Sequence, residues 1–262
     1  MALDVQSNWT ISMAKNFDKI MRHGDTAESQ QQLNRGKEQG ENMKVNVEHV
    51  HSQHTGTPVY LPDEIILQIL DYIGHNEDVK ESQYTLASCC LLSHQWYDAA
   101  IPLLYARPYI YGKNFDPFVK AICPSINLHV RKSPLSELVK VLNMGSLVHQ
   151  GSRSLTARLL GRTKGSLEEF VAPQASFAMN CFPALSKCAK LKLLDLSLVS
   201  ESPPLPELFK TVAHLERLRT FRLPRSAGFG VHHNNKSFAW SPNIEDLSLS
   251  GGIDGHLSLI HI

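Results

Sequence analysis

The stretch VYLPDEIILQILDYIG, Val59 to Gly74, decides how the chain is read. Between Pro62 and Gly74 there is room for one short helix, yet it carries Ile65, Ile66, Leu67, Ile69, Leu70, Tyr72 and Ile73. Proline is accepted in a first helical turn, where its missing N–H has no intrahelical partner to lose. Asp63 and Glu64 suit the positive end of the helix dipole, and Gly74 marks the far end. A helix covered on one side needs three or four apolar residues per two turns, and this one exceeds that. Ile65, Ile69 and Ile73 are assigned to the side that faces the next helices. The apolar residues left over need a second cover, from the rest of the chain or from another protein.

Working outward, a polar loop, HNEDVKES, follows Gly74. Thr85 to Leu92 reads as a second helix. Ser93 to Ala100 reads as a third, with Ser93 as N-cap and Pro102 as its stop. YARPYIY, Tyr105 to Tyr111, is rich in aromatic and β-branched residues and reads as a strand. Three short helices in so few residues bury too little surface to be robust alone.

Residues 59–105 resemble an F-box. The carrying residues are Leu61-Pro62-Asp63-Glu64-Ile65-Ile66, Ile69-Leu70 and Tyr72-Ile73, then Leu86-Ala87, Leu91-Leu92-Ser93 and Trp96-Tyr97. Two features differ from the usual pattern: the loop Gly74–Tyr84 is long, and His94-Gln95 stand where basic residues are common. The resemblance implies binding to the Skp-type adaptor of a cullin–RING ubiquitin ligase. The residues it points to are Leu61, Pro62, Glu64, Ile65, Ile66, Leu92 and Trp96. The competing reading makes Leu61, Pro62 and Ile66 part of the chain's own core, where Ile69, Trp96 and Leu104 are also expected.

Beyond the helices the chain repeats itself. Val139-x-x-Leu142-x-Met144, Leu167-x-x-Phe170-x-Ala172, Leu191-x-x-Leu194-x-Leu196, Leu218-x-x-Phe221-x-Leu223 and Ile244-x-x-Leu247-x-Leu249 share one pattern, with centres 28, 24, 27 and 26 residues apart. Leucine-rich repeats have periods of about 20–29. Helix-like pieces, Phe177–Ala189 and Leu205–Leu215, lie between the motifs. Each repeat is therefore expected to be a short strand and a return helix that must stack on its neighbours. The alternative is an ordinary α/β domain with a parallel sheet. The fold class expected is mixed α and β: a disordered polar tail over 1–57, a three-helix F-box over 58–105 and a leucine-rich-repeat-like solenoid over 106–262. Within the tail, Trp9, Met13, Phe17 and Ile20 have helical spacing. Only SGGIDGHLSLIHI follows the fifth motif, so an open apolar end is expected there.

An F-box followed by such repeats resembles fungal substrate receptors of these ligases, which carry no catalytic residues. No GxSxG, HExxH or P-loop is present, and Gly161-Arg-Thr-Lys-Gly165 lacks the phosphate-loop spacing. Five cysteines without a CxxC pair suit free buried thiols in the cytosol or nucleus. His232-His233 lacks further ligands, so no metal and no cofactor are expected. No apolar run approaches the ~20 residues of a membrane span, and the N-terminus is a poor secretory signal.

Charge points to the repeats. Residues 131–225 hold 15 Lys+Arg against 7 Asp+Glu, a net of +8, while the rest holds 11 against 18. Arg219 and Arg222 flank the fourth strand motif at its exposed phase and are the candidate contacts for an unidentified protein substrate, acidic or phosphorylated. The other readings are a repeat scaffold without a ligase role and a basic nucleic-acid-binding protein. The second has few aromatics interleaved for base stacking.

Overall fold

The computed structural model describes residues 60–125, 133–147, 153–201, 203–224 and 243–248. The expectations for the tail 1–57, for Trp9 to Ile20, for His232-His233 and for the end after Ser248 lie outside the described residues. The chain divides into two units, 1–66 and 67–262, at a point inside the first helix.

That helix, α1, runs Asp63–Gly74. The carbonyl of Pro62 accepts the N–H groups of Ile65 and Ile66 and starts it. α2 runs Val79–Cys89, six residues earlier than the apolar pattern indicates. Its start is polar because that turn faces water, and its signal is Asp78, whose carboxylate accepts from the N–H groups of Lys80 and Glu81 at 2.9 and 3.1 Å. The loop after α1 is therefore short.

α3 runs His94–Ala106, with Ser93 as its N-cap accepting from Trp96 N–H. It does not stop at Pro102, which sits inside it. Pro102 is exposed, and so is Asp98, the residue four earlier whose carbonyl a proline cannot bond. The strand expected over Tyr105–Tyr111 is absent. Tyr105 and Ala106 finish α3, and the following loop is held by Asn114, which donates to the Tyr109 carbonyl and accepts from Tyr111 N–H. The helix end is tied down in two places. Gln83 of α2 donates to the Leu104 carbonyl, whose usual i+4 donor position is Pro108, and Lys140 N–H donates to the Ala106 carbonyl at 2.9 Å.

α4, Phe115–Ile122, buries Phe115, Val119 and Ile122 at i, i+4, i+7. A short 3₁₀ turn, Pro134–Glu137, leads to β1, Val141–Asn143. Then come α5, Arg153–Thr163; β2, Glu169–Val171; a 3₁₀ turn, Met179–Cys181, running into α6, Phe182–Leu185; β3, Leu193–Asp195; α7, Leu205–Val212; β4, Thr220–Arg222; and β5, Asp246–Ser248.

The five strands form one parallel sheet in chain order. Its register sets Leu142, Phe170, Leu194, Phe221 and Leu247 opposite one another. These are the centres of the five sequence motifs. The flanking apolar positions follow: Val139, Leu167, Leu191 and Leu218 are fully buried, as are Met144, Ala172 and Leu196, with Leu223 nearly so. A three-residue strand cannot cover such a ladder alone, so α5, α6 and α7 return along the other side. Phe170, Phe177 and Phe182 form a chain of tilted ring contacts, with centroids 6.0 and 6.1 Å apart, from β2 to α6.

Candidate functional site

Two surfaces stand out once the core is subtracted. The first is apolar and belongs to the helical segment. In α1, Ile66 and Leu70 are fully buried, which shifts the buried row one position from Ile65, Ile69 and Ile73. With apolar residues at so many positions, both phases look alike in sequence. The correction removes Ile66 from the residues a partner could touch and returns Ile69 to the surface. On the 1–66 side, Tyr60, Pro62, Glu64 and Ile65 are exposed and Leu61 is half-buried. On the 67–262 side, Leu67 is 51% and Tyr72 84% exposed. At the turn between α2 and α3, Leu91 and Leu92 are 57% and 65% exposed, while Trp96 and Leu104 are half-buried. Leu67, Tyr72 and Leu91 were not among the residues assigned to the adaptor from sequence. Only the phase of α1 and the end of α2 identify them.

The second surface is the outward face of the sheet. Two rows of residues cross it: Val141, Glu169, Leu193, Thr220 and Asp246, and then Asn143, Val171, Asp195, Arg222 and Ser248. Arg222 and Arg219 are not idle there. Arg222 Nη1 donates to Asp195 Oδ2 at 3.0 Å, and Arg219 pairs with Glu245 at 3.0 Å. Lys192, one residue before β3, pairs with Glu168, one residue before β2, at 2.6 Å. The cations thus stitch one strand to the next, and the face as a whole is not basic.

Asp195 is mostly buried. Burial pushes its carboxyl upward, but Ser197 and Arg222 outweigh that and hold it below the ordinary value. Glu168 is likewise held down, first by the hydrogen bond from Lys192. Asn143 and Asp195 repeat one device: each side chain accepts the N–H two residues on, Gly145 at 3.0 Å and Ser197 at 2.9 Å, and turns the chain out of the strand.

All five cysteines are free and buried. Burial pushes the Cys90 and Cys188 thiols up to about 12, so neither is a nucleophile near neutral pH. Among the described residues, no group of three or more His, Cys, Asp or Glu could hold a metal, and no helix is long and apolar enough to cross a membrane. Gly161 to Thr163 belong to α5, so the glycine-containing stretch there is no phosphate loop.

The three-helix segment with its exposed apolar residues is an F-box-like domain: residues 59–111 match that family. The chain thus carries an F-box-like domain. It is similar to F-box protein YDR306C of Saccharomyces cerevisiae, 32% identical over 83% of this chain and 46% of that protein. It is also similar to Protein pof5 of Schizosaccharomyces pombe, 28% identical over 73% of this chain and 51% of that protein. The chain therefore spans about half the length of the curated relatives it matches. No solved structure matches it.

Proposed function

We propose that the chain is a substrate-recognition subunit of an SCF-type ubiquitin ligase. Its F-box would bind the Skp-type adaptor, and through it a cullin. Its stacked strands, read as an irregular leucine-rich-repeat solenoid, would hold a protein substrate. The observation that carries this reading is the exposure of Leu67, Tyr72, Leu91 and Leu92 in an F-box-like segment. Large apolar side chains clustered on so short a stretch suit a protein partner better than water. The strand order and register support the solenoid, because each repeat adds one strand beside the last.

The mechanism is proximity rather than catalysis. A receptor that holds substrate beside a ubiquitin-charged enzyme raises the effective concentration of a substrate lysine. Such a role asks for no nucleophile or metal of its own. The buried free thiols suit a reducing compartment, cytosol or nucleus. The nucleic-acid reading rests on the net charge of residues 131–225, and two of the cations there, Arg219 and Arg222, are paired with carboxylates. Co-purification with the Skp-type adaptor and cullin tests the proposal. A scaffold without a ligase role would retain neither.

A further inference from the structure

Two cations that neither surface uses lie under the surface, between α4 and α5. Arg158 and Arg162 stand four residues apart on α5, so both guanidiniums leave one face of the helix. Arg162 is buried and Arg158 half-buried. Arg162 donates through Nη2 to the Ser125 carbonyl, just past the end of α4, at 3.4 Å. Burial raises the Cys123 thiol, while the two guanidiniums and a hydrogen bond from Arg158 pull it down. Arg158 Nε is shut off from solvent and donates to no acceptor. Arg158 joins no ion pair among the described residues. The C-terminal end of α4 offers about half a negative charge, against two full positive ones. Like charges held this close under the surface cost stability unless an anion meets them, and an orphaned buried donor asks for an acceptor.

We propose that Arg158 and Arg162, with the Cys123–Ser125 end of α4, form a site for a phosphate group, free or carried as a monoester by a small molecule. A guanidinium presents a fork of N–H donors that matches two oxygens of a carboxylate or a phosphate. A carboxylate has only those two oxygens, so one arginine uses it up. A phosphate has oxygens for both arginines and carries about two negative charges, which matches the two cations. Arg158 is the more exposed of the pair, so the anion enters on its side and Arg162 lies deeper. The site uses α4 and α5 and does not rest on the ligase role.

The test is isothermal titration calorimetry of the full chain with inorganic phosphate at constant ionic strength, beside thermal melts in phosphate and in chloride. Wild type should take up phosphate and melt at a higher temperature in it than in chloride. Acetate should bind at least tenfold more weakly. Glycerol 3-phosphate bound as tightly as phosphate assigns the site to monoesters, and its exclusion assigns it to the free ion; both results keep the site. Arg158→Gln should weaken phosphate binding at least tenfold. In chloride the same variant should melt no lower than wild type, because it removes an unmatched cation. An arginine that only supports the fold behaves otherwise: its loss lowers the melting temperature by the same margin in both salts. That pattern, a wild-type chain that takes up no phosphate, or one that binds acetate equally well would overturn the proposal.

Discussion

Asp195 joins strand to turn and repeat to repeat through Ser197 and Arg222. Asp195→Ala would leave a turn N–H and a guanidinium short of a partner, at a cost of about 1–3 kcal/mol by urea denaturation. The carboxyl titrates below its ordinary value in the folded chain. Its contribution is therefore full above the unfolded value of about 3.9 and fades as pH falls through the lower folded value. Asp195→Asn should flatten stability against pH in that acidic window and nowhere above it. An unchanged acid limb would mean the carboxylate is not the group responsible. The sequence exposed Arg222 by its phase in the strand but hid Asp195, because the pair spans 27 residues and exists only through register. Ile65 and Ile66 were hidden for the opposite reason. Adjacent isoleucines on a helix rich in apolar residues give no hint which one turns inward.

At the scale of elements, the helices that were misread were misread at polar or proline residues. Val79 to Gln83 looked like loop because the first turn of α2 is solvated, and Asp78 was the missed start signal. Asp78→Ala should lower the melting temperature by an amount equivalent to about 1 kcal/mol, the usual worth of an N-cap. Pro102 looked like a stop and is instead an exposed break in a continuing α3. Pro102→Ala should raise stability by about 1–2 kcal/mol. The helix-interior penalty of about 3 kcal/mol is partly offset by the freedom the unfolded chain regains. Loss of stability on that change would show that the proline ring packs in a way its exposure conceals. The strands were legible because their centres recur at near-constant spacing. Tyr105–Tyr111 failed because aromatic content alone does not make a strand: Tyr105 and Ala106 complete α3, whose last carbonyl accepts from Lys140 N–H.

For the whole molecule, the claim is that one chain couples an apolar helical docking segment to a stacked parallel sheet. The stack should depend on its central residues. Phe170→Ala, at a fully buried site beside Phe177, should cost about 3–5 kcal/mol by chemical denaturation. The docking segment should be separable from that stability. Leu67 and Leu92 are exposed, so replacing both with Asp should leave the fold intact. Burying a leucine is worth about 1.5–3 kcal/mol, and losing two at an interface corresponds to at least about a tenfold fall in affinity. The direct measurement is size-exclusion chromatography with light scattering, mixing the chain with a purified Skp-type adaptor. Wild type should elute as a one-to-one complex, and Leu67→Asp with Leu92→Asp should elute as a folded chain apart from the adaptor. A wild-type chain that never joins the adaptor, or a doubly substituted chain that joins it equally well, would contradict the proposed role.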